Sequence, residues 1–163
     1  ELGLGCRRVS IEPGNDYHGV HVHNALSDSY DDENSGDRPT NRRIGEARIK
    51  VAFAGRIAQD MACGRRSRIG SAASDMRKAY YLADQLTSSP LARRAYCRWL
   101  WIEAGNQVSF PRTWRRIEAV AAELLKHKTL SGTRVRQILK AVEKKEHDEI
   151  DQRANALLAA GAR

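Results

Sequence analysis

Apolar residues recur at three- and four-residue spacings from Thr40 towards the end of the chain. This spacing is typical of helices that bury one face, so it predicts a mainly α-helical protein. A first helix is expected to begin at Thr40 or Asn41 and to end near Cys63, because Gly64 follows. Its predicted buried face consists of Ile44, Ala47, Val51, Ala54, Ala58 and Met61.

Further helices are expected from the same periodicity and from residues that start helices. A second is predicted to start near Ser74, with Ser74 or Asp75 as its cap, and a third at Pro90 after Ser89. A fourth follows Pro111, and a last one closes the chain. The expected core positions are Met76, Ala79, Tyr80, Ala83 and Leu86 in the second helix, Trp99, Leu100 and Ile102 in the third, and Trp114, Ile117, Val120, Ala121, Leu124 and Leu125 in the fourth.

Residues 6–24 have a different pattern. Apolar and polar positions alternate there, which predicts two short strands, and the turn-forming sequence Pro-Gly-Asn-Asp lies between them at 13–16. Residues 27–41 are acidic, polar and rich in helix-breaking residues, which indicates a flexible loop. The expected fold is therefore mainly α, with one small β-hairpin near the N-terminus.

Composition indicates the kind of partner and the cellular compartment. The chain of 163 residues carries 28 Lys and Arg against 20 Asp and Glu, and its net charge of +8 favours polyanionic partners. Cys6, Cys63 and Cys97 are an odd number and lie far apart, so we expect buried thiols in a reducing compartment. Because no apolar run reaches about 18 residues, we expect a cytoplasmic chain or one at the cytoplasmic face of a membrane.

Two segments carry a resemblance to a known family. Residues 49–60 read Ile-Lys-Val-Ala-Phe-Ala-Gly-Arg-Ile-Ala-Gln-Asp, and residues 69–76 read Ile-Gly-Ser-Ala-Ala-Ser-Asp-Met. In this order and spacing they resemble the protease domain of the FtsH-type, ATP-dependent zinc metallopeptidases. Val-Ser-Ile-Glu-Pro at 9–13 and Thr-Leu-Ser-Gly at 129–132 resemble other parts of that domain. The resemblance implies a partial, helical FtsH-like peptidase domain over 1–139, followed by a charged helical tail at 140–163.

The resemblance implies a zinc-dependent endopeptidase. Zinc would polarise the scissile carbonyl and activate water, and Asp75 would be the third zinc ligand. The family's His-Glu-x-x-His helix supplies the other two ligands and the general base, but this chain lacks that motif. Its expected place is just upstream of Glu1, which is not an initiator Met. We therefore expect no catalytic residue within the chain, and we expect the chain alone to be inactive and not to retain zinc.

In the family, the second strand of the hairpin is an edge strand that pairs with extended substrate. The implied substrate-binding residues are Gly19, Val20, His21, Val22 and His23. The spacing of His18, His21 and His23 would also suit a metal, although polar residues that face outward explain it more simply. The expected partners of the complete protein are a polypeptide substrate, further copies of the chain, and an AAA+ ATPase module in cis or in trans.

Three alternatives stay open. Asp75 near a helix start is stabilised by free backbone N–H groups, so capping explains it without a metal. Two helices about a short turn, with a basic last helix, would also suit a nucleic-acid-binding module. A non-catalytic FtsH-like scaffold is the third alternative. The basic residues of the last helix are Arg134, Arg136, Lys140, Lys144 and Lys145.

Overall fold

The computed structural model describes residues 6–13, 19–23, 39–64 and 72–161. Helices dominate, and the first two strands pair antiparallel, so the predicted mainly α fold with a hairpin near the N-terminus is confirmed. Residues 14–16 of the predicted turn and 27–38 of the predicted loop lie outside the described residues, whereas 39–41 begin a helix. The elements are β1 (Cys6–Ser10), β2 (Val20–His23), α1 (Pro39–Cys63), α2 (Ala72–Gln85), α3 (Pro90–Ser109), α4 (Pro111–His127), β3 (Thr129–Ser131) and α5 (Gly132–Gly161).

The chain divides into two compact units. The first comprises residues 1–4 and 25–113, and α1, α2 and α3 pack against one another within it. The second comprises residues 5–24 and 114–163, with the three strands, α5 and most of α4. The predicted division between residues 139 and 140 falls inside α5, which is continuous there.

The buried face of α1 differs from the predicted one. Ile49, Phe53 and Ile57 are buried, whereas Val51 and Met61 of the predicted face are exposed. Apolar residues lie on more than one side of this helix, so the spacing alone did not identify the side that α2 and α3 cover. The core of the first unit is completed by Ala47, Ala79, Ala83, Leu86, Cys97, Leu100, Ala104 and Val108.

Several residues expected in the core of other helices are also exposed. Tyr80 in α2, Trp99 and Ile102 in α3, and Leu125 in α4 all have large accessible surfaces, whereas Leu100 is fully buried as expected. Each of these helices has apolar residues beyond the width of its buried face. Hydrophobicity therefore identified the helices, but packing selected which of their apolar side chains are removed from water.

Glycine positions show where the helices of the first unit approach closely. A Cβ atom at Gly45 would lie 2.8 Å from Leu86 Cδ1, so the Leu86 side chain packs directly on the α1 backbone there. Gly55 is exposed, and a Cβ atom there would meet no atom within 4 Å. Within the described residues, no neighbouring helix therefore approaches the α1 backbone at Gly55.

Local chemistry sets the helix ends. Gly64, at φ +70°, follows the last residue of α1, as the sequence predicted. The Ser89 side chain accepts a hydrogen bond of 3.1 Å from the backbone N–H of Ala92 and caps α3. α3 passes through Gly105 and continues to Ser109, because a single glycine costs only about 1 kcal/mol in a helix that packing stabilises.

The second unit is built on a three-stranded antiparallel sheet in the order β2-β1-β3. Strand β3 was not predicted, because Thr-Leu-Ser at 129–131 was interpreted as the turn between two helices. Leu130 of this strand is buried with Leu124, Val135 and Ile138, and Val9 of β1 packs against them. The sheet and the two helices that flank β3 in sequence therefore share one apolar core.

Helix α5 contains 30 residues, and residues 150–160 of it are all exposed. Charged residues are frequent along its length, as the sequence predicted for the tail. Among the described helices, none is long and apolar enough to cross a membrane.

Candidate functional site

Strand β2 lies at one edge of the sheet. Its partner β1 is central, and β3 covers the opposite edge of β1. In the register, Arg8 faces Val22, Val9 faces His21 and Ser10 faces Val20. Within the described residues no strand pairs with the outer side of β2. Its outward backbone N–H and C=O groups can therefore form a ladder with an extended peptide, which is the geometry of β-strand addition.

Gly19 comes just before this edge strand and is exposed. A Cβ atom there would lie 3.0 Å from the backbone oxygen of Ser10, so a glycine lets the chain enter β2 close to β1. The His18 position and the side chains of His21 and His23 lie outside what the structure describes. The site at β2 is therefore defined by backbone hydrogen-bonding groups. Such groups bind a peptide because it is extended, whatever its side chains are.

Asp75 lies in the first turn of α2. The helix begins at Ala72, two residues before Ser74, so the prediction that Ser74 or Asp75 is its N-cap is wrong. Alanines at 72 and 73 extend the helix backwards because alanine has the highest helix propensity. The Asp75 side chain is 51% exposed and pairs only loosely with Lys78, at 3.9 Å between Oδ1 and Nζ. The carboxylate is thus accessible and is favoured there by the helix dipole.

Asp75 alone does not make a metal site. In the described part of the chain, no group of three His, Cys, Asp or Glu side chains is placed to hold a metal ion. A zinc ion held by protein usually takes three or four such ligands. The described residues therefore do not by themselves fit zinc, and Asp75 fits only as one oxygen ligand among ligands supplied from elsewhere.

Cys6 and Cys97 are not activated nucleophiles. Burial raises the pKa of the Cys6 thiol, and Arg136 offsets this rise only in part. Burial likewise raises the pKa of the Cys97 thiol, with a smaller opposing effect of Arg93. Both thiols therefore stay protonated at neutral pH. The prediction of buried thiols is correct for Cys97, whereas Cys63 is exposed.

In the part of the chain that the structure describes, some basic residues of α4 and α5 pair with carboxylates, and others do not. Arg134 Nη2 lies 2.8 Å from Glu123 Oε2, and this hydrogen bond is the main cause that lowers the pKa of Glu123. Arg116 Nη2 lies 2.6 Å from Glu143 Oε1. Lys140, Lys144 and Lys145 are exposed on α5. The expected helix-turn-helix is interrupted by β3, so the basic helix starts directly from a strand.

A groove in the first unit was not predicted. It is open, has a volume of about 610 Å³, and lies beside the start of α3. Tyr96 stacks on Trp99 with ring centroids 5.9 Å apart, and the guanidinium carbon of Arg42 lies 5.3 Å from the Tyr96 ring centroid. The Tyr96 hydroxyl donates a 2.5 Å hydrogen bond to Glu46 Oε1. The groove is lined by Arg42, Leu86, Thr87, Ser88, Ala92, Ala95, Tyr96 and Trp99.

The sequence does contain a signal for this groove. α3 carries apolar residues on both its buried and its exposed sides, which exceeds what a surface helix needs. Comparison with known proteins adds no assignment to either surface: no protein-family model matches the chain, and no curated protein matches it.

Proposed function

We propose that this chain is part of a zinc-dependent endopeptidase domain that resembles those of FtsH-type peptidases, and that β2 binds the polypeptide substrate. The observation that carries the proposal is the edge position of β2, whose outer side has no strand partner within the described residues. A protease must accept many sequences in an extended form. Backbone ladder hydrogen bonds meet that requirement because they do not depend on substrate side chains.

Asp75 contributes one zinc ligand in this proposal. Its carboxylate is half-exposed, has one loose ion pair with Lys78, and lies in the first turn of α2. Zinc, when bound, would polarise the scissile carbonyl and lower the pKa of a water molecule. The remaining ligands and the general base would come from residues outside this chain, as the resemblance implies. Further copies and an AAA+ ATPase module are its proposed partners.

The test of the metal role uses the full-length natural protein. One zinc ion per chain and hydrolysis of casein are expected, and both should be lost in Asp75→Ala. Asp84→Ala is the matched control, because Asp84 lies on the same helix and its carboxylate pairs with Arg93. Absence of zinc and of hydrolysis in the unsubstituted full-length protein would contradict the peptidase and leave a non-catalytic scaffold.

The test of the substrate role uses the chain as it is. Amide hydrogen exchange is measured with and without a casein-derived peptide. Alternate residues of Val20–His23 should become protected, because every second residue of a strand directs its backbone groups to the outer side. The exposed residues 150–160 of α5 serve as the internal control and should not change. Unchanged exchange along β2 at saturating peptide would rule out strand addition at this edge.

Nucleic-acid binding is the second candidate, and the exposed lysines of α5 support it. Their charges would contact phosphates, so affinity for double-stranded DNA should fall steeply with salt. Combined Lys140→Ala and Lys144→Ala substitution should lower the salt slope by about two, because each lysine would neutralise one phosphate and contribute about one unit. Failure to bind DNA at any salt concentration would exclude this candidate.

A further inference from the structure

The solvent-facing side of α3 is unusually apolar. Leu91 is 78% exposed, Trp99 48% and Ile102 50%. With the exposed Ala95 they recur at spacings of four, four and three residues, so they form one stripe about 16 Å long. We name Leu91, Ala95, Trp99 and Ile102 the α3 stripe. Continuous exposed apolar surface of this kind marks interaction sites, because it costs solubility without adding to the core.

The α3 stripe is distinct from the core face of the same helix. The buried residues of α3 are Cys97, Leu100, Ala104 and Val108, and they occupy another side of the helix. The open groove runs beside the stripe and shares Ala95 and Trp99 with it. A helix that lies along the stripe would therefore place apolar side chains into a preformed cleft, which is the helix-in-groove mode of recognition.

Charge indicates the kind of partner. Arg94 and Arg98 are exposed, lie four residues apart along one flank of the stripe, and pair with no carboxylate in the described part of the chain. Arg42, at the wall of the groove, is already paired with Glu46 at 3.6 Å between Nε and Oε1, so Arg94 and Arg98 carry the unbalanced charge. Glu103 is the acidic residue of the other flank. Two like copies would bring these arginines together, so the surface disfavours self-association and favours an acidic partner.

We infer that the α3 stripe and the adjoining groove bind an amphipathic helix of a partner protein whose apolar face is flanked by carboxylates. Trp99 is the central anchor, since it is aromatic, half-exposed and held in place by stacking on Tyr96. Leu91 and Ile102 extend the contact along the helix, and Arg94 and Arg98 set its orientation by pairing with acidic side chains. This function is independent of the proposed peptidase.

The test uses a fluorescently labelled peptide of Leu and Glu, about 18 residues long, with leucines at helical i, i+3, i+4 and i+7 spacing. Fluorescence anisotropy should show saturable binding to the chain. Trp99→Ala should weaken it at least about tenfold. Leu91 is too exposed for Leu91→Ala to affect folding. This substitution should weaken peptide binding about threefold, because a contact at the end of an interface contributes less than a central one. Tyr81→Ala, an exposed tyrosine on α2, is the control and should bind normally.

Three further measurements separate this partner from others. A peptide with Lys in place of Glu should bind at least about tenfold more weakly, because it meets Arg94 and Arg98 with like charge. Equal binding of the two peptides, or binding unaffected by Trp99→Ala and Leu91→Ala, would overturn the inference. Trp99-dependent binding of phosphatidylserine vesicles or oligo-dT without binding of the acidic peptide would also overturn it. So would a dimer of the chain that Trp99→Ala dissociates, measured by sedimentation. Circular dichroism checks that each variant is folded.

Discussion

The Ser10 and Thr129 hydroxyl oxygens lie 2.8 Å apart and join residues separated by 119 positions in the chain. The neighbouring hydrogen bonds determine which of the two hydroxyls donates. The Glu12 N–H donates to Ser10 Oγ, and Thr129 Oγ1 donates to Glu12 Oε2, so Ser10 must donate to Thr129. Ser10 is buried, so its hydroxyl depends on these partners. This chain of hydrogen bonds holds β3 against the end of β1.

The hydroxyl pair should contribute measurably to stability. Thr129→Val keeps the shape of the side chain but removes a partner of the buried Ser10, and we expect a loss of about 1–2 kcal/mol in the free energy of unfolding. Ser10→Ala should cost about 1 kcal/mol. Urea denaturation of both variants and of the double variant measures their coupling. A double variant equal to the sum of the single effects would contradict a direct interaction.

Gly132 should tolerate no side chain. A Cβ atom there would lie 1.8 Å from the backbone oxygen of Cys6, and neither backbone can yield without separating α5 from β1. Gly132→Ala should therefore destabilise the protein by about 3 kcal/mol or more. Gly105→Ala is the matched control, since it is helical with nothing within 4 Å of the added atom. It should stabilise by about 0.5–1 kcal/mol. Thermal unfolding that moves in the same direction for both would contradict the contact.

Phe53 should dominate the core of the first unit. It is among the largest fully buried side chains, and its ring meets Trp101 edge-on with centroids 5.3 Å apart. Phe53→Ala leaves a cavity and should cost about 3–5 kcal/mol. Val51→Ala, on the exposed side of the same helix, should change stability by no more than about 0.5 kcal/mol. If Val51→Ala lost as much stability as Phe53→Ala, Val51 would be buried, as the sequence pattern predicted, and the observed buried face of α1 would be contradicted.

Glu123 should titrate below its ordinary range. Hydrogen bonds from Arg134 and then Lys126 lower its pKa in the folded chain. A carboxyl whose pKa falls on folding stabilises the fold above its unfolded pKa, and that contribution disappears as pH falls through the folded pKa. Carbon-detected NMR titration of the Glu123 carboxyl should therefore give a midpoint that Arg134→Gln raises. Lys140→Gln, which is on α5 like Arg134, is the control and should leave the midpoint of the Glu123 titration unchanged.

The ends of helices were accessible from sequence because they depend on neighbouring residues. Gly64 after α1 and Ser89 before α3 act within one turn of the chain, and both were predicted at the observed positions. The start of α2 was missed because Ala72 and Ala73 continue a helix as readily as they precede one. A helix end with a strong local signal is therefore predicted at the observed residue, whereas an end with a weak signal is predicted only to within a few residues.

The candidate sites were predicted only in part. The strand that contains Val22 was expected, but its edge position depends on β3 occupying the other side of β1. Asp75 was singled out by resemblance, and its accessibility depends on how α2 packs. Trp99 and Ile102 of the α3 stripe were assigned to the core, because they have the composition of buried residues. No pattern in a single helix states which of two apolar sides will meet a partner.

The helical fold class, the early hairpin and the balance of charges follow from the amino-acid sequence, because they depend on spacing, turn residues and composition over short ranges. The folded structure was needed to establish that β3 joins β1, that Phe53 rather than Val51 is buried, and that Trp99 faces solvent. Such choices depend on contacts between distant segments. The free energies of these contacts depend on how the whole core packs and on which surfaces stay exposed to water. A local sequence pattern therefore does not predict them.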